Sequence, residues 1–177
     1  MRGEDDRARF AATFLPHIAQ AHRLARWLTG SATDAEDVVQ DAALKAYRGI
    51  AGFSGGNARA WVLTIVRNAA HTWLAKNRAI PVVLAADIER TEQQVEAVEA
   101  PDPDTPEILL LRKAEAEAVR RAIAALPEVF REAIVLREMH ELDYREIAQV
   151  LGVPIGTVMS RLARARRLLI DSLGEAR

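Results

Sequence analysis

Cysteine is absent from the 177-residue chain, which excludes a disulfide framework, a thiolate metal site and a cysteine nucleophile. The histidines, His17, His22, His71 and His140, are too scattered to suggest a metal cluster, and neither a metal nor a cofactor is expected. Aromatic residues make up only 5%, and no β-rich stretch stands out. No apolar run approaches the roughly 20 residues needed to cross a bilayer. The acidic, arginine-containing start MRGEDDRARF does not read as a signal peptide, so a cytoplasmic protein is expected. Half of the residues are hydrophobic, with abundant Ala, Leu, Arg and Glu, a balance that favours helices.

A net charge of −1 argues against a nucleic-acid binder until it is divided along the chain. Residues 1–78 carry 11 basic and 7 acidic side chains, residues 79–115 carry 3 and 9, and residues 116–177 carry 10 and 9. The front is therefore basic and the middle acidic, and the positive charge of the last part is concentrated after Ser160. Local field rather than net charge decides where a phosphate backbone sits. Between Pro81 and Glu107 there are eight acids, one base and four prolines, with almost no large side chain after Ile88. Such a segment cannot bury enough apolar surface to order itself. The fold class expected is all-α: two small helical domains, residues 1–80 and 108–177, joined by a flexible acidic linker, residues 81–107.

In the first domain, Phe10, Phe14, Ile18, Ala21, Ala25 and Leu28 recur at helical spacing, Pro16 implies a kink or a late start, and Gly30 should end the helix. Thr33 to Glu36 reads as a capping box for the next helix, DVVQDAALKAYR. Val38, Val39, Ala42, Ala43, Ala46 and Tyr47 share one side of it, and Asp37, Gln40, Asp41, Lys45 and Arg48 the other. Leu44 projects among the polar set, as in a partner-binding face with a dry centre and a polar rim. A lone exposed leucine on a solvated face is the alternative. Asp37 and Asp41 do not suggest catalysis, because Lys45 and Arg48 lie on the same face and nothing else converges there.

The loop from Gly49 to Asn57 carries one aromatic, Phe53, and lacks the pattern of a nucleotide-binding loop. A helix from Arg59 to about Arg78 follows, with Trp61, Val62, Ile65, Val66, Ala69 and Trp73 on one side. Its other face, with Thr64, Arg67, Asn68, His71 and Arg78, holds no acid and suits DNA better than bulk water.

In the second domain a helix is expected from Ile108 to about Ala125. Another begins near Pro127, with Val129, Phe130, Ala133, Ile134 and Leu136 as its apolar positions. The stretch YREIAQVLGVPIGTVMSRLARARRLL then reads as a helix-turn-helix. Gly152 suits a left-handed cap, and Pro154 suits the first turn of the second helix. There Val158, Leu162, Ala165 and Leu169 would dock on the domain. Thr157, Ser160, Arg161, Arg164 and Arg167 would be offered to the major groove.

DAEDVVQDAALKAYR, ARAWVLTIVRNAAHTWL, the acidic linker and ALPEVFREAIVLREMHELDYREIAQVLGVPIGTVMSRLARAR together resemble, in this order, the extracytoplasmic-function group of bacterial RNA polymerase sigma factors. The resemblance covers about residues 10 to 170. It implies a non-catalytic subunit that binds core RNA polymerase and directs promoter-specific initiation, and a stand-alone helix-turn-helix transcriptional regulator is the alternative. Asp37, Gln40, Asp41 and Leu44 would then meet core polymerase. Phe53, Arg67, Asn68 and His71 would engage the −10 element, with Asn68 at a position used to capture a flipped base. Thr157, Ser160, Arg161, Arg164 and Arg167 would read the −35 element. Met159 departs from the family, in which many members carry Arg or Lys at that position. Promoter DNA, core polymerase and an anti-sigma factor are the candidate partners.

Overall fold

Helix periodicity carries through to the computed structural model, which describes residues 2–77 and 105–174. Eight α-helices account for most of these residues: α1 (Arg2–Phe14), α2 (Ile18–Thr29), α3 (Ala32–Gly49), α4 (Ala58–Asn77), α5 (Pro106–Ala125), α6 (Glu128–Glu138), α7 (Tyr144–Leu151) and α8 (Ile155–Gly174). No strand occurs among the described residues. The expected linker lies outside them except for its last three positions. Thr105 accepts a hydrogen bond from the Ile108 amide and caps α5, and Pro106 occupies the first turn, so the helix starts two residues before the expected Ile108.

Local chemistry sets the other boundaries. Pro16 interrupts the first apolar stripe as a 3-10 turn, Leu15–His17, between α1 and α2, and α1 itself begins well before Phe10. Gly30, at φ 76°, closes α2 in the left-handed region. The cap of α3 is Ser31 and not Thr33: the Ser31 hydroxyl accepts from the Asp34 amide, and its extended backbone leaves Thr33 already inside the helix. A capping box does occur, at α7. The Asp143 carboxylate accepts from the Glu146 amide and the Glu146 carboxylate from the Asp143 amide, each at 2.8 Å. Gly152, at φ 66°, ends α7, and α8 starts one residue after Pro154.

Helices α1 to α4 pack around Phe14, Leu24, Val38, Leu63 and Val66, and α5 to α8 around Leu136, Leu142, Ile147, Val158 and Leu162, all buried. Ala165 is buried and Leu169 partly so, completing the docking stripe of α8. Val129, expected in the core, is 42% exposed, whereas the neighbouring Glu132 is 2% exposed. The α6 helix is thus rotated so that a carboxylate, and not an isopropyl group, points inward.

That rotation joins the two halves. The turn that follows α6 offers its carbonyls to arginines of the N-terminal half: Arg23 donates to the Met139 carbonyl at 3.2 Å and Arg59 to the His140 carbonyl. Cations at the negative end of a helix dipole are favourably placed. His140 is 2% exposed, and neither ring nitrogen has a hydrogen-bond partner among the described residues. Burial, then the charges of Arg23 and Arg59, lower its pKa from 6.5 to about 4, so the imidazole is neutral here.

A histidine whose folded pKa is depressed contributes stability that is complete above its unfolded pKa and is lost as pH falls through the folded one. Thermal stability should therefore drop between pH 6.5 and about 4, with about 3 kcal/mol at stake from His140. His140→Leu should flatten that part of the profile in a melting series. An unchanged slope in the variant would assign the acid sensitivity to other groups.

Candidate DNA and polymerase interfaces

Three surfaces carry the residues singled out from sequence. On α3 the apolar side is buried through Val38, Val39, Ala42 and Ala46. Tyr47, assigned to that side, remains 42% exposed, with its ring edge-on to Phe10 at 5.6 Å between centroids. The opposite face leaves Asp37, Gln40, Asp41 and Leu44 exposed, Leu44 by 58%. Lys45 pairs with Asp41 at 2.6 Å, one turn along the same face. An isobutyl group of this exposure, framed by carboxylates and an amide, has no intramolecular packing role and matches the anatomy of a docking contact.

The second surface is α4 with the loop before it. Phe53 is half-buried, its ring 4.7 Å from that of Trp61, and its carbonyl accepts a 2.9 Å hydrogen bond from Arg9. Gly55 and Gly56, at φ 98° and 97°, turn the chain where a side chain would be strained. Asn57 then caps α4 by accepting from the Ala60 amide at 2.9 Å. On α4, Val62, Val66 and Ala69 of the expected apolar set are buried and Trp61, Ile65 and Trp73 partly so, and Ala60, Leu63 and Ala70 join the core. Asn68 is exposed. Arg78 lies outside the described residues.

Arg67 and His71 are not free for solvent. Arg67 grips Glu132 of α6 with both Nε and a terminal nitrogen, each bond 2.9 Å, in the fork-to-carboxylate geometry. His71 Nε2 lies 2.6 Å from the same carboxylate, and His71 Nδ1 lies 3.0 Å from Glu128. Burial pushes the Glu132 carboxyl up, but the bonds and charges of His71 and Arg67 outweigh it and hold the group below its ordinary range. Asn57 adds a 2.6 Å bond to Glu146 of α7.

Sequence reasoning missed this acidic counter-face. It tracked the apolar positions of α6, yet Glu128 and Glu132, one turn apart, share a helix edge that only tertiary structure could match to Arg67 and His71. The ligand atoms of His71, Glu128 and Glu132 lie within 4.8 Å of one another, the span of a metal site. The two ring nitrogens face different carboxylates, and the Arg67 guanidinium already neutralises Glu132 with a fixed positive charge.

The third surface is the helix-turn-helix. Ser160, Arg164 and Arg167 are exposed on α8, and Thr157 and Arg161 are half-buried. Met159 is 54% exposed on the same helix. Arg166 points elsewhere and bonds Glu138 of α6 at 3.1 Å.

These surfaces coincide with regions shared with known proteins. Residues 13–80 match the family Sigma-70 region 2, and residues 116–169 match Sigma-70, region 4. The chain is 37% identical over 137 residues to the ECF RNA polymerase sigma-E factor of Escherichia coli (strain K12), which is 77% of this chain and 72% of the relative. It is 38% identical over 147 residues to the ECF RNA polymerase sigma-E factor of Haemophilus influenzae, covering 81% of this chain and 76% of that one. Among solved structures, the fold is similar to the sigma factor RpoE of Bartonella quintana in complex with the anti-sigma factor NepR. The TM-score is 0.66 and the identity 26%, over 92% of this chain and 95% of that one. It also shares its fold with CnrH in complex with the cytosolic domain of CnrY, with a TM-score of 0.64 and 23% identity, over 94% and 88% of the two chains. A region 2 block and a region 4 block in this order, with such identity across three quarters of the sequence, mean that the chain belongs to the extracytoplasmic-function RNA polymerase sigma factors.

Proposed function

We propose that this sigma factor, which directs promoter-specific transcription initiation, divides that task among the three surfaces. Asp37, Gln40, Asp41 and Leu44 on α3 dock on core RNA polymerase. Phe53, Arg67, Asn68 and His71 hold the −10 element, and Thr157, Ser160, Arg161, Arg164 and Arg167 read the −35 element. The functional units are residues 1–80 and 108–177 joined by 81–107. The protein acts in the cytoplasm, where polymerase works, and contributes binding without catalysis. An anti-sigma factor is a fitting further partner, since the similar RpoE chain was solved in complex with the anti-sigma factor NepR.

The observation that carries this reading is the exposed Leu44 inside its acidic frame. The core of the N-terminal half does not need it, and hydrophobic docking centres are where binding energy concentrates. Base capture fits α4 for a different reason. Asn68 keeps its amide in solvent on the helix that also carries Arg67 and His71, whose side chains could meet phosphate only by giving up Glu132 and Glu128.

Leu44→Asp combined with Asp37→Arg should leave folding stability within about 0.5 kcal/mol, because both positions are exposed. It should weaken core polymerase binding by roughly a hundredfold or more, through a charge buried at the contact centre. Wild-type copurification of the folded variant with core enzyme would show that another face docks. For the −35 surface, Arg161→Ala should alter base preference at one position by about 1 to 3 kcal/mol in a duplex selection experiment. Arg166→Ala, which removes a contact to Glu138, should keep the wild-type preference. Identical altered profiles for the two would overturn the division of that helix into faces.

A further inference from the structure

Met159 is 54% exposed and stands outside the stripe of Val158, Leu162 and Ala165 that docks α8 on its domain. A lone methionine on a solvated surface needs no explanation. This one lies near the start of the second helix of a helix-turn-helix, whose N-terminal residues are the ones that reach base edges in the major groove. Spacings of three and four place Gly156, Met159, Ser160 and Ala163 side by side on that helix. All four are exposed, and Arg164 and Arg167 continue the same face one turn further on.

The three neighbours of Met159 leave room for an outside surface. A side chain at Gly156 would meet nothing within 4 Å among the described residues, so packing inside the protein does not require glycine there, although glycine weakens a helix relative to alanine. Its missing side chain opens the backbone of the first turn to close approach. Ala163 adds a single methyl group. Ser160 donates its hydroxyl to the Thr157 carbonyl at 3.0 Å, which leaves its oxygen to accept from a base amino group. Of the four, Met159 alone carries a long apolar side chain, unbranched and adaptable in shape.

We propose, on the reading of α8 as the −35 surface, that Met159 is a specificity residue: it packs on the C5 methyl group of a thymine and selects a T·A pair at one position of the −35 element. The major groove edge of a base pair offers donors, acceptors and one apolar group, and that group is the thymine methyl. A thioether has no proton to donate and accepts only weakly. Against the polar edge of a purine, Met159 would displace water from groups it cannot satisfy. Against a thymine methyl, both surfaces leave water together, and one methyl group corresponds to about a fourfold change in affinity. Attraction for the phosphate backbone comes from the arginines of the same face, so Met159 is free to discriminate without having to hold.

The methyl group can be removed from the DNA alone. Promoter duplexes randomised over the −35 element are selected with the full-length chain bound to core polymerase. Each thymine of the preferred sequence is then replaced by uracil, which pairs in the same way and lacks only the methyl group. The wild type should lose about fourfold in affinity at one thymine at least. Met159→Gln keeps the side-chain length at an exposed position; it should remove that penalty and the preference for T·A there. Met159→Leu, which stays apolar, should keep both. A preferred sequence in which every thymine tolerates uracil, or the same uracil penalties in Met159→Gln as in the wild type, would overturn the assignment. Ser160→Ala and Arg164→Ala separate this from the underlying reading. If they change the selected sequence while uracil is tolerated throughout, α8 reads the duplex and Met159 makes no methyl contact. If these two and Met159→Gln all leave the selected −35 sequence unchanged, α8 is not the reader.

Discussion

A buried carboxylate needs its charge answered from outside its own helix, and Glu132 is the group whose demand shapes this structure. Left unpaired in the seam between the halves, an ionised Glu132 would cost several kcal/mol or would be forced to take up a proton. Instead Arg67 and His71 reach across from the N-terminal half, and the carboxyl is held below its ordinary pKa despite burial. A charge pair of this kind adds little net stability compared with a hydrophobic contact, but it fixes which two surfaces meet.

The helix-turn-helix depends on the same junction. Glu146 closes the capping box that starts α7 with one carboxylate oxygen, and its other oxygen accepts the bond from Asn57. Asn57 in turn caps α4. The starts of α4 and α7 are therefore tied through two side chains, and the loop before α4 in one half touches the first helix of the helix-turn-helix in the other. Gly152 then turns the chain in the left-handed region so that α8 leaves with its apolar stripe inward and its arginines outward.

Most of this was legible where the cause is local. Periodicity placed the helices, Pro16 placed the break between α1 and α2, and the Gly152 cap with the stripe of Val158, Leu162 and Ala165 placed the reading helix. The exposed Leu44 could be read because one wrong-faced residue in a regular pattern is conspicuous. What could not be read was non-local. Thr33 and Ser31 are both competent caps, and only backbone geometry chose Ser31. In α6, Val129 and Glu132 compete for the inward position, and propensity favours valine. Glutamate wins because the facing helix supplies a guanidinium and an imidazole to bond it, information that resides some 60 residues away in Arg67 and His71. His140 was missed for the same reason: an isolated histidine in sequence gives no sign that it will be sealed between two arginines.

The charge balance follows from this pairing. A promoter-binding chain with a net charge of −1 must hold its positive field in patches, and the patches must not attract every polyanion in the cell. On α8, Arg164 and Arg167 lie exposed and carry positive charge to the surface. On α4 the cationic groups are neutralised at short range by the α6 acids, and the field that single-stranded nucleic acid would feel is small until the halves part. Two basic surfaces of one chain are thereby given different availability by the position of two glutamates. Reading the double helix before holding a melted strand is the order in which promoter recognition must proceed, since a melted strand exists only after the duplex has been engaged.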